Sequence, residues 1–87
     1  MIRNEKFILL VSDSTHFVMK LEKLLQNFQI CCRIIPLPSE ISAGCGLSLK
    51  VELTDLEKID EILERENIEI EKYLVEKIGL KKKIEKI

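Results

Sequence analysis

The chain has 87 residues, 46% hydrophobic and 33% charged, which suffices for one domain with a modest core and a soluble surface. Fourteen basic and 15 acidic residues leave a formal net charge of -1, so no global electrostatic pull favours nucleic acid or an anionic membrane, and neither is an expected partner. The cysteines number 3, include the neighbours Cys31 and Cys32, and form no CxxC, which argues against a disulfide framework or a zinc ribbon.

The apolar run from Phe7 to Val11 is too short for a signal-peptide core or a membrane span and ends in the polar Ser12-Asp13-Ser14. Lys6 to Ser12 reads instead as a buried first strand, and the cysteines as reduced thiols of a cytoplasmic protein. Phe17, Leu21, Leu24, Leu25 and Phe28 then recur at helical spacing, with Lys20, Lys23 and Gln26 on the opposite face. Any of Asp13, Ser14 and Thr15 is a suitable cap for this helix. Cys31 to Ile35 reads as a second strand stopped by Pro36 and Pro38, which cannot donate to a ladder.

Leu47, Leu49, Val51 and Leu53 alternate with Ser48, Lys50 and Glu52, the pattern of a half-exposed third strand. Thr54-Asp55-Leu56-Glu57 matches a capping box, and Leu56, Ile59, Ile62 and Leu63 supply the stripe of a second helix ending near Asn67. A fourth strand is expected between Ile68 and Ile78, and residues 79–87 read as a lysine-rich tail. The whole is one domain over residues 1–87 with its core at about 6–78. Its element order predicts an α+β two-layer sandwich, a ferredoxin-like βαββαβ fold with a four-stranded antiparallel sheet and two helices on one face.

A right-handed crossover in that order brings the end of the first strand, the start of the first helix and the start of the third strand to one sheet edge. Cys45 is thereby expected near Ser12 to His16. A thiol becomes a useful nucleophile as thiolate, which a helix N-terminus or a protonated histidine favours. His16, the only histidine, lies in that first helical turn and is the expected thiolate partner. Gly44 and Gly46 flank the thiol without side chains, letting backbone amides or a partner's sulfur approach closely. The competing reading makes Cys45 a small apolar residue filling the strand edge, since free cysteine is among the most buried residue types.

Ser14-Thr15-His16 opening a helix, Glu22 within it, and Pro36-Leu37-Pro38-Ser39-Glu40-Ile41-Ser42 followed by Cys45-Gly46-Leu47 resemble the selenium/sulfur carrier protein-like family of small bacterial and archaeal domains. The resemblance covers most of the chain, from Lys6 to the fourth strand. It implies that Cys45 holds sulfur or selenium as a persulfide or selenosulfide, with His16, Glu40 and Ser42 around it. It also implies donor and acceptor proteins as partners, and a carrier rather than a self-contained enzyme. Ser39 is a departure, because many members carry an arginine there.

Other chemistries fare worse. A Cys-His acyl transferase also needs an orienting group and an oxyanion site. Glu40 beside a thiolate raises its pKa, which favours a structural role for that carboxylate, and Ser42 is open to either role. Cys31 and Cys32 point to opposite strand faces and cannot share a metal, so no metal or other cofactor is expected. The sheet face opposite the helices carries alternate apolar residues and needs a cover, either the C-terminal segment or the second subunit of a homodimer. Glu76 and Glu85 dilute the charge of Lys81-Lys82-Lys83, so this run reads as a solvated face. The alternative function is a noncatalytic interaction or regulatory module in which Cys45 is structural.

Overall fold

The computed structural model of the protein describes residues 4–41 and 45–87. Its elements are β1 (Glu5–Val11), α1 (Thr15–Asn27), β2 (Cys32–Pro36), β3 (Leu47–Glu52), α2 (Leu56–Arg65), β4 (Glu71–Ile78) and β5 (Lys81–Lys86), with a 3-10 turn at Leu53–Asp55 before α2. All strand pairs are antiparallel, in the order β2-β3-β1-β4-β5. The expected four-stranded, ferredoxin-like sheet is therefore corrected to five strands, still in a small α+β domain.

The fifth strand is built from what reads in the sequence as a lysine-rich tail. Gly79, at φ 61, and Leu80 make a two-residue turn that sets Ile78 opposite Lys81. A positive φ at the first turn position suits the right-handed twist of a hairpin, and glycine adopts it without a steric penalty. Pairing with β4 then needs backbone groups alone, and β5 buries little beyond Ile84, which sits opposite Val75. Its lysines suit an edge strand, because charge discourages further strand addition.

One face of the sheet is packed by the helices. Ile8 and Leu10 of β1 and Leu49 and Val51 of β3 form a core with Val18, Leu21 and Leu25 of α1 and Ile59, Ile62 and Leu63 of α2. Both helices end alike. Ile30 N–H donates to Leu25 O at 3.0 Å and Ile68 N–H to Leu63 O at 2.8 Å, while Gln29 and Asn67 hold positive φ. This is the Schellman arrangement, which satisfies the last carbonyls and turns an apolar residue back onto the helix. At the start of α2 the 3-10 turn takes Thr54 and Asp55 of the expected capping box. Asp55 becomes the N-cap and makes no side-chain cap bond, so that expectation is corrected.

The opposite face carries Phe7, Leu9, Val11 and Val75, all buried. Part of the cover left open by the sequence comes from the connection after β2, whose Leu37 and Ile41 pack on this stripe. Glu40 ties the connection to β5 through Lys82 at 3.5 Å. At the margin, the Lys50 ammonium lies 4.5 Å from the Phe7 ring centroid, a cation–π contact that also shields the ring from water. Among the described residues, no helix is long and apolar enough to cross a membrane.

Candidate functional site

Cys45 sits two residues before the start of β3, at the edge where β1 ends and α1 begins. Its N–H donates to Ser12 O at 3.1 Å, while Gly46 O accepts from Leu37 N–H at 2.9 Å. The Cys-Gly pair is thus held on one side by the chain leaving β1 and on the other by the chain leaving β2. Gly46 has φ 91 and open space where a Cβ would stand. Glycine is required there by the backbone angle, since any other residue would be strained without clashing.

On the other side of the thiol stands the first turn of α1. Ser14 caps the helix, its Oγ accepting from Phe17 N–H at 3.2 Å, and Ser12 Oγ accepts from Ser14 N–H at 3.2 Å. With Ser14 spent on the cap, the hydroxyl of Thr15 is free to bond the sulfur. This hydroxyl is the first cause holding Cys45 below the ordinary thiol value, followed by backbone hydrogen bonding at Leu47. Burial and the Asp13 carboxylate act in the opposite direction and are outweighed. The protonated thiol donates instead to Leu47 O, at 3.8 Å. Both protonation states are therefore accommodated, and the hydroxyl and helix terminus favour the charged one.

The half-buried Cys45 side chain also packs against the helix-side core. His16 is exposed, one residue beyond Thr15 in the first turn of α1. Glu40 is exposed as well. Its own backbone amide, then Lys82 and Ser39, hold its carboxyl below the ordinary value, and Ser39 Oγ donates to it at 3.3 Å. Ile41 N–H closes the same turn onto Pro38 O at 3.0 Å. Glu40 thus belongs to the fastening of the covering segment. Ser42 and Gly44 lie outside the described residues.

Thr15 is the residue that sequence reasoning did not single out as a thiol partner. The signal was present, because only one of three adjacent cap-forming side chains can cap the helix and the next is left with a spare hydroxyl.

The other two cysteines stand at the far end of α1. Cys31 is exposed and precedes β2, so it is not a strand residue as expected. Cys32 is half-buried, with Sγ donating to Glu22 O at 3.6 Å. Burial, then the Glu22 and Cys31 charges, push its pKa up to about 11. Among the described residues, no group of three or more His, Cys, Asp or Glu side chains is placed to hold a metal.

No curated protein and no solved structure matches the chain. A family model does match, over residues 7–75, from the third residue of β1 into β4 and across the Cys45 edge. Its description is "Putative Se/S carrier protein-like", and the chain belongs to that family.

Proposed function

We propose that the protein carries sulfur or selenium on Cys45, as a persulfide or selenosulfide, and passes it to an acceptor protein. The observation that carries this reading is the setting of Cys45, where the Thr15 hydroxyl and the Leu47 backbone favour thiolate at an edge tied down by backbone bonds. Loading is a displacement. The thiolate attacks the outer sulfur of a donor persulfide R–S–SH, an S–S bond forms to Cys45 as the donor's own S–S bond breaks, and R–S⁻ leaves and takes a proton. Delivery repeats the step with the acceptor's thiolate as nucleophile. Selenium travels the same way when the donor presents it as R–S–SeH. Neither step requires an external oxidant or cofactor, and the partners required are the donor and acceptor proteins.

In this reading His16, exposed in the first turn of α1, meets the docking partner and serves as a second thiolate partner when protonated. Gly46 leaves the approach to the sulfur free of a side chain. The packing of Cys45 against the core favours the second reading, an interaction module in which the sulfur is structural. Intact-mass spectrometry after incubation with a persulfide or sulfane-selenium donor separates the two. The added chalcogen is expected on wild type and on Cys31→Ser/Cys32→Ser, and absent from Cys45→Ser. An adduct that persists in Cys45→Ser would move the protein to the second reading.

A further inference from the structure

The far end of α1 holds a cavity of ≈ 600 Å³ whose lining includes Gln26, Gln29, Cys31, Cys32, Arg33 and Glu52 beside Ile30 and Lys50. Its composition is unlike a gap in packing. Two cations, one carboxylate and two side-chain amides surround two thiols, and one of those thiols, Cys31, is exposed. Among the described residues, neither Arg33 nor Glu52 takes part in an ion pair. Such a set matches one arm of a ligand bearing carboxylate, ammonium, amide groups and sulfur.

We infer that this cavity binds a small zwitterionic disulfide, of the amino-acid or short-peptide kind typified by oxidised glutathione, and that Cys31 exchanges with it. Arg33 takes a carboxylate, Glu52 the ammonium, and Gln26 and Gln29 the amides. The Cys31 thiolate attacks one sulfur of the disulfide R–S–S–R. A Cys31–S–S–R bond forms, the original S–S bond breaks, and R–S⁻ leaves and is protonated. The disulfide is the oxidant, and Cys31 and one R group share the oxidised product. Cys32, kept protonated by burial, is a poor nucleophile for resolving the adduct, and a bond between adjacent cysteines is strained, so the mixed disulfide accumulates. This site is independent of the carrier reading of Cys45.

The test uses full-length Cys45→Ser protein, so that neither result depends on the carrier reading. It is incubated with oxidised glutathione or with neutral hydroxyethyl disulfide, and the adducts are timed and mapped by mass spectrometry. One glutathione per chain is expected on Cys31 and none after Cys31→Ser. Adding Arg33→Ala should slow the glutathione reaction about three- to tenfold, the range for losing one partly exposed charge-assisted contact, and leave the neutral disulfide unaffected. Arg33→Lys should recover part of the rate, and unchanged circular dichroism checks that the fold survives. An adduct on Cys32, or Arg33→Ala slowing both disulfides equally, overturns the inference.

Discussion

The two ends of α1 each hold a cysteine beside the helix, and they treat it in opposite ways. At the N-terminal end the Thr15 hydroxyl and the backbone at Leu47 pull Cys45 below the ordinary thiol value. At the C-terminal end Cys32 donates to a helix carbonyl and is raised to about 11 by burial, Glu22 and Cys31. Residue type is the same, so the difference comes from the surroundings: burial leads at Cys32, whereas at Cys45 the Thr15 hydroxyl and the Leu47 backbone outweigh it. Unpaired backbone donors gather at a helix start, beside which Cys45 sits, whereas Cys32 meets a mid-helix carbonyl, that of Glu22.

The largest expected effect tests whether the Cys45 edge depends on the segment beneath it. Ile41 packs against Leu9, Val11 and Val75 on the sheet face away from the helices and anchors the connection that leads to Cys45. Ile41→Ala should cost about 2–3 kcal/mol in urea unfolding, as expected for truncating a buried isoleucine. It should also blunt the preferential alkylation of Cys45, since the connection then loses its anchor, while Cys32, on the helix side, keeps its low reactivity. Equal changes at both thiols would show that the two ends are not independent.

Next is the contrast itself. Lowering from 9.0 at Cys45 against raising to about 11 at Cys32 separates the two pKa values by more than 11 − 9.0 = 2 pH units. The thiolate fractions at neutral pH then differ by about a hundredfold or more. The weaker acid gives the stronger nucleophile, with a Brønsted slope near 0.4–0.5, which returns roughly tenfold. In Cys31→Ser protein at pH 7, iodoacetamide should therefore modify Cys45 about tenfold faster than Cys32, or more once burial of Cys32 is included. Comparable rates at the two positions would contradict the assignment.

Thr15→Val removes the leading cause of the lowered value and leaves the Ser14 cap in place. The alkylation midpoint of Cys45 should move up toward 9.0 and its rate near pH 7 fall about three- to tenfold, the size of one lost hydrogen bond to a charged group. Stability carries the same information with a definite sign. A depressed folded pKa stabilises the native state fully above the unfolded value of 9.0, and that contribution is lost as pH falls through the folded pKa. A raised one, as at Cys32, stabilises fully below 9.0, and its contribution is lost as pH rises from 9.0 toward about 11. Replacing Cys45 and Cys32 singly by serine should thus change the pH dependence of the urea midpoint in opposite directions.

Periodicity made β1, α1, β3 and the stripe of α2 legible, because each buries a repeating apolar face against the core. β5 was not legible, since Lys81-Lys82-Lys83-Ile84-Glu85-Lys86 buries almost nothing and its pairing rests on backbone bonds and on Gly79. The cap of α2 failed for a related reason. A Thr-x-x-Glu pattern describes what side chains can do, and here the chain enters α2 through a 3-10 turn that places Asp55 at the cap. At the site, Cys45 and its nearness to the start of α1 followed from element order. The thiol's hydroxyl partner depended on which of Asp13, Ser14 and Thr15 the backbone would choose as cap, a decision that spacing does not make.

The smallest expected effect sharpens the comparison at the C-terminal end. Both helices close with a left-handed residue, Gln29 at φ 62 and Asn67 at φ 55. A left-handed angle costs an ordinary L-residue roughly 1–2 kcal/mol, whereas glycine escapes that cost and gives back part of the gain as lost chain entropy in the unfolded state. Asparagine already tolerates the angle better than glutamine. Gln29→Gly should therefore raise the stability by about 0.5–1 kcal/mol, and Asn67→Gly by less, seen as higher urea midpoints at unchanged slope. Because Gln29 closes the helix that presents Glu22 O to Cys32, a firmer end should leave Cys32 at least as slow to alkylate as before. A faster Cys32 in Gln29→Gly would show that its low reactivity depends on the glutamine side chain and not on the helix end.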